Sequence, residues 1–189
     1  MVGDPARAWQ DGDETDRIEV HAGQSVPKEA ARYEHSDAQG GLAFALRGPF
    51  QRRPGAGGPG GWWIATEPEV AYPGWTFLHD LAGWRRERVP QKPSGRPVRD
   101  TPDWVCEILS TNRKHDTVTK FEVLALAGVR HYWLIDVDAR ELVVHRLLDN
   151  GGWRRVAAYV ATEPGLRGRV EPFEAEELEI AVLFGDDPT

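Results

Sequence analysis

The chain has one cysteine, Cys106, in 189 residues, so it can form neither an internal disulfide nor a four-thiolate zinc site. No apolar run approaches the roughly 20 residues a membrane span requires. The first residues, with Asp4, Asp11, Asp13 and Glu14, lack the apolar segment of a secretory signal. The cytoplasm is therefore the expected location, with no membrane partner. Positive charge is also scarce: 23 Lys and Arg against 30 Asp and Glu leave a net charge of −7. That balance is the reverse of what sequence-independent binding to phosphates favours. A locally basic cleft on an acidic body remains compatible with it, as does an acidic cluster built for a cation. No internal repeat is present. Gly55 to Gly61 does not make a phosphate-cradling loop, because no lysine and helix follow it.

What is present is a chain that is 40% hydrophobic and 28% charged, the composition of one globular domain with a sizeable core. Residues 1–27 are polar and aperiodic, with Gly3, Pro5, Gly12, Gly23 and Pro27, and read as an irregular N-terminal arm. Residues 28–189 read as a single domain. Between Lys28 and Leu46 the spacing of Ala31, His35, Ala38, Leu42 and Leu46 predicts a helix, weakened by Gly40-Gly41. Gln51 to Gly61, rich in Gly, Pro and Arg, is a surface loop. From Trp62 the pattern becomes strand-like: Trp62–Thr66, Trp75–Trp84, Asp103–Leu109, His131–Val137, Glu141–Leu148 and Trp153–Val160.

Between the third and fourth of these pieces, Asp116 to Ala127 predicts a helix with Val118, Phe121, Leu124 and Ala125 as its apolar stripe and Gly128 as its C-cap. Strand, helix, strand implies a crossover; the turn at Asp138-Ala139-Arg140 implies a hairpin; together they give a mixed sheet in an α+β fold. The tail around Leu178 to Phe184 fits a strand or a short helix equally well.

Two acids interrupt this apolar pattern. Glu107 lies in Trp104-Val105-Cys106-Glu107-Ile108-Leu109, sharing a strand face with Asp103, Val105 and Leu109. Asp80 lies in Phe77-Leu78-His79-Asp80-Leu81-Ala82, where the cheap residue is again a hydrophobe. A carboxylate in such a place is costly unless it is hydrogen-bonded, paired or bound to a metal. Two acids on neighbouring strands suit one magnesium or manganese ion, which takes oxygen ligands and few protein carboxylates. Lys120 follows Asp116 by one helical turn and shares its face, where a lysine can orient a water or stabilise charge on a phosphate. The plainer readings are an exposed Asp116–Lys120 pair and a structural salt bridge from Glu107 to Arg85 or Arg86.

The ordered set Asp80 to Arg88, Pro102 to Ser110, Asp116, Lys120, Ala127-Gly128-Val129 and Tyr132 to Asp136 resembles the Uma family of bacterial restriction-endonuclease-type proteins. That family lies in the PD-(D/E)XK nuclease superfamily. Weaker matches extend the likeness over roughly residues 30 to 185. The resemblance implies a restriction-endonuclease-like mixed central sheet flanked by helices, and metal-dependent endonuclease chemistry on DNA. It makes Asp80 the first acid and Glu107 the second. The lysine expected two residues after the second acid is Leu109 here, and the family's supply of it from the following helix corresponds to Lys120. His79 stands where proline often precedes the first acid. Ser110-Thr111-Asn112-Arg113 replaces a Ser-Pro-Ser-Thr turn.

Around this centre, Glu67 and His35 are accessory candidates, and Asp116 accompanies Lys120. Asp136 fits a turn cap. Arg85, Arg86 and Arg88, at the head of a basic stretch reaching Arg99, form a candidate nucleic-acid rim. Most of the eight tryptophans are expected in the core. Cutting both strands of a duplex would call for a homodimer. The alternative functions are a catalytically inactive nuclease-fold binding module and another metal-dependent phosphohydrolase.

Overall fold

A computed structural model of the chain describes residues 18–28, 31–109, 118–162 and 165–189. The strands before the first acid are β1 (Ile18–His21), β2 (Gln24–Pro27), β3 (Trp62–Thr66), β4 (Glu69–Tyr72) and β5 (Trp75–Leu78), with helix α1 (Tyr33–Phe50) between β2 and β3. After it come β6 (Leu81–Arg85), β7 (Trp104–Ile108), helix α2 (Lys120–Ala127), β8 (His131–Asp136), β9 (Glu141–Leu147) and β10 (Trp153–Val160). The tail carries β11 (Arg167–Gly168), β12 (Leu178–Glu179) and a 3₁₀ turn at Ala181–Phe184, so it is both strand and short helix.

The central sheet has six strands in the order β10-β9-β8-β7-β6-β3. Only β7 and β8 run parallel, joined by the crossover through α2, while β8 and β9 form the expected antiparallel hairpin. This is the mixed sheet the strand and helix order implied. Asp136 Oδ1 accepts the Ala139 amide at 3.0 Å, capping that hairpin turn. Gly128 ends α2 with φ 79°, the left-handed geometry that favours a residue without a Cβ.

Both faces of β7 are covered, and the alternation along it decides which layer each side chain joins. Trp104, Cys106 and Ile108 pack with Leu42 and Leu46 of α1. Val105 packs on the other face with Leu124 and Tyr132. All five strand positions are buried in consequence. On the α1 side, Phe173 gathers Trp62, Trp104 and Trp133 at ring-centroid distances of 4.9, 5.0 and 5.6 Å. Trp62, Trp84, Trp104 and Trp133 are core residues as expected, whereas Trp63 and Trp75 are half-buried.

Three expectations are corrected. First, α1 runs over Tyr33–Phe50 rather than 28–46, and one of the two glycines that seemed to weaken it, Gly41, is a packing device. A Cβ on Gly41 would stand 2.0 Å from the Val182 carbonyl oxygen, so only glycine lets the helix meet the tail this closely. Secondly, residues 18–27 are not irregular: β1 and β2 form a hairpin, and β1 pairs with β5 in a second sheet of order β2-β1-β5-β4. Thirdly, the single strand expected over Trp75–Trp84 is two strands in two sheets, broken at His79-Asp80. The break forms because the His79 amide donates to Pro68 O at 3.2 Å and Asp80 O accepts the Glu67 amide at 3.0 Å, which takes these groups away from a continuous ladder. Among the described residues no helix is long and apolar enough to cross a membrane.

Candidate active site

The break between β5 and β6 places Asp80 immediately before β6, and the β6–β7 register pairs Leu81 with Cys106, next to Glu107. Both acids are 1% exposed. Asp80 Oδ2 accepts the Ile108 amide at 2.7 Å, which anchors the carboxylate to the end of β7. Gln39 of α1 donates from Nε2 to Asp80 O at 2.9 Å and holds the break from the helix side. Asp80 therefore stands at a corner between the two sheets, not in mid-strand.

Each acid has its own lysine and its own histidine. Asp80 Oδ1 receives Lys28 Nζ at 2.8 Å and has His35 Nε2 at 3.2 Å. Glu107 Oε2 lies 2.9 Å from Lys120 Nζ, and Glu107 Oε1 lies 2.5 Å from His79 Nδ1. With Glu107 ionised its oxygens only accept, so His79 donates from Nδ1, and Nε2 is left to accept the Tyr72 hydroxyl at 2.7 Å. Burial, and then the negative charge of Glu107, push the Tyr72 phenol well above its ordinary value, so it stays a neutral donor. For Asp80, burial alone would raise the carboxyl. Lys28, the hydrogen bond and charge of His35, and Lys120 together outweigh burial and hold it well below the usual carboxylate range.

Lys120 is 2% exposed, so it is no surface residue. Its ammonium is 3.8 Å from Glu19 Oε1 of β1 and 5.7 Å from the centroid of the Phe77 ring. Glu19 is itself held by the Leu78 amide at 3.1 Å and by His21 Nε2 at 2.8 Å. Lys120 is thus not an exposed residue, and Glu107 pairs with Lys120 and His79 in place of the expected bridge to Arg85 or Arg86. Asp116 and the turn at Ser110 to Arg113 lie outside the described residues.

The geometry brings together Asp80, Glu107, Lys120 and His35 and adds Lys28, Glu19, His79 and Tyr72 to them. Glu67 is exposed in the β3–β4 turn at φ 49°, linked to Asp80 through its backbone amide. Glu19 was missed because it lies where the sequence shows no periodicity, and Lys28 because it reads as the start of a helix; Asp80 and Leu78, which they reach, are more than fifty residues away. His79 was visible in the sequence as the residue standing where proline often precedes the first acid, whereas Tyr72 gave no signal.

The arginines stand elsewhere. At about 3.3 Å per residue, Arg85 lies roughly 16 Å along β6 from Asp80. Arg88 grips Asp103 with Nε at 2.7 Å and Nη2 at 2.9 Å, and Arg86 bonds Trp62 O at 2.9 Å and stacks over Trp63. Arg85 covers the Trp62 ring. Their first role is to tie the far end of the sheet. Cys106, on β7 and packed toward α1, is fully buried, and burial pushes its thiol up, which makes it a small apolar side chain.

Among the described residues no three His, Cys, Asp or Glu side chains are grouped for a metal ion. Two buried oxygen-bearing acids still fit magnesium or manganese, whose shells take one or two protein carboxylates and leave the rest to water and phosphate.

Comparison with known families matches residues 7–182 to Uma2, described as "Putative restriction endonuclease". Among solved structures, a putative nuclease belonging to DUF820 from Anabaena variabilis ATCC 29413 is similar, with a TM-score of 0.59 and 23% identity over 88% of this chain and 89% of that one. That likeness is one of fold. No curated protein matches the chain.

Proposed function

The chain belongs to the Uma2 family of putative restriction endonucleases, and from that membership we propose that it is a divalent-metal-dependent nuclease hydrolysing phosphodiester bonds of DNA. One observation carries the reading: Asp80, in the bend leading into β6, and Glu107, on the neighbouring strand β7, are 1% exposed each, and each carries a lysine and a histidine. Burying two carboxylates this deeply costs several kcal/mol before their partners offset it, roughly. A fold seeking only stability gains little by it.

In this reading Asp80 Oδ1 and Glu107 hold the magnesium or manganese ion. The ion, when bound, would supply Lewis acidity at the phosphate and lower the pKa of a water. The chain's own groups do the rest. His79, locked by Tyr72, fixes Glu107 from behind. Lys120 balances the charge of Glu107 and is held in place by Glu19, and His35 lies at Asp80 ready to share its charge. Glu67 and Asp116 are accessory positions, Arg85, Arg86 and Arg88 a flank for the duplex backbone, and a cytoplasmic homodimer the form that cuts both strands.

Manganese titration by calorimetry and nicking of supercoiled plasmid test this together. Wild type is expected to bind manganese and nick, while Asp80→Asn and Glu107→Gln lose both, the nicking by at least about a hundredfold. Manganese binding by wild type that both variants keep at equal affinity sinks the reading. A second reading, a non-catalytic nucleic-acid-binding module of the same fold, is favoured by the internal neutralisation of each acid and by Leu109 at the superfamily's lysine position. Duplex binding that survives both substitutions, without nicking in wild type, selects it.

A further inference from the structure

The two lysines of the site face different surroundings. Lys120 keeps 2% of its side chain exposed, wedged between Glu107 and Glu19. Lys28 keeps 17% and His35 keeps 11%, whereas the side chain of Asp80 keeps 1%. The opening onto the carboxylates is therefore at Lys28 and His35. Lys28 Nζ donates to Leu78 O at 2.6 Å and to Asp80 Oδ1 at 2.8 Å. The other Asp80 oxygen is already engaged by the Ile108 amide at 2.7 Å. A cation coming to Asp80 meets the Lys28 ammonium on the oxygen it needs, and two positive charges on one oxygen repel. A lysine on a flexible four-carbon stem at the mouth can swing outward, whereas Lys120, packed on all sides, has no room to do so. An ammonium displaced to the mouth is a point charge well placed for a phosphate.

We propose that Lys28 is the phosphate-binding residue of this site and that, until metal and substrate arrive, it holds Asp80 in the metal's stead. The proposal rests on the reading of Asp80 and Glu107 as metal ligands, and it moves the phosphate-facing role from the buried Lys120 to Lys28.

The test uses the full chain as wild type, Lys28→Met and Lys28→Arg, with circular dichroism as the check on folding. Manganese is titrated by calorimetry. Binding of a fluorescent duplex oligonucleotide is followed by anisotropy in calcium, whose looser coordination still brings carboxylate and phosphate together. Removing one competing charge from Asp80 is expected to tighten manganese binding by about tenfold in Lys28→Met and to weaken duplex binding by about tenfold. Lys28→Arg restores the duplex binding. Manganese binding that appears only once Lys28 is replaced by Met also supports the proposal. If wild type binds manganese through Asp80 and Lys28→Met changes neither manganese nor duplex affinity, Lys28 has neither role while the metal reading stands. If none of the three chains binds manganese, the metal reading and the proposal fall together.

Discussion

The outer half of the site, Asp80 with Lys28 and His35, and the inner half, Glu107 with Lys120 and His79, use the same three residue types in different surroundings. The inner lysine and histidine are 2% and 0% exposed at the side chain, and their outer counterparts 17% and 11%. The inner partners come from the break between β5 and β6 and from the crossover helix. The outer partners come from the start of the chain, from the residue after a hairpin and from the first turn of α1. The same ion pair is thus structural on one side and available to solvent on the other. Burial sets that difference, because an ammonium shut away from water is costly to release and one at a mouth is not.

The largest way to break this contrast is Lys120→Ala. It leaves Glu107 buried against His79 alone and is expected to destabilise the chain by about 3–5 kcal/mol, read from denaturant unfolding. A loss below about 1 kcal/mol would mean that the inner half is at least as yielding as the outer. Next comes Tyr72→Phe, which removes the hydroxyl partner of His79 Nε2 at a cost of about 1–3 kcal/mol, measured the same way. Lys28→Met should cost less than Lys120→Ala, about 1–3 kcal/mol, since Asp80 keeps His35 and the Ile108 amide. An unfolding cost for Lys28→Met equal to that of Lys120→Ala would erase the distinction.

The smallest effect is in pH. The folded Asp80 carboxyl lies below its unfolded value, so its stabilising contribution is present above about pH 4 and is lost as pH falls further. In EDTA, wild-type unfolding free energy should decline below about pH 4 more steeply than that of Asp80→Asn. Parallel curves would show that Lys28 and His35 do not hold the charge there.

Much of the central sheet was legible in the sequence. Trp62–Thr66 and Trp153–Val160 matched strands β3 and β10 end for end, and the helix before Gly128 was visible because period 3.6 survives in local order. The face assignment along β7 held too, since alternation is a property of the backbone. The break at His79-Asp80 was not legible, because the apolar pattern runs through it and only the bonds to Glu67 and Pro68 divide it. The hairpin at 18–27 was hidden for a related reason: Glu19 and Lys28 look like ordinary surface charges until β1 pairs with β5.

By itself the sequence determined the mixed sheet and the two acids that do not belong in apolar strands. These follow from periodicity and from the cost of burying charge, both of which act along the chain. Only the tertiary structure decided how those acids are neutralised. That depends on which distant side chains reach a buried oxygen, and on how much water reaches them, neither of which leaves a periodic mark in the sequence.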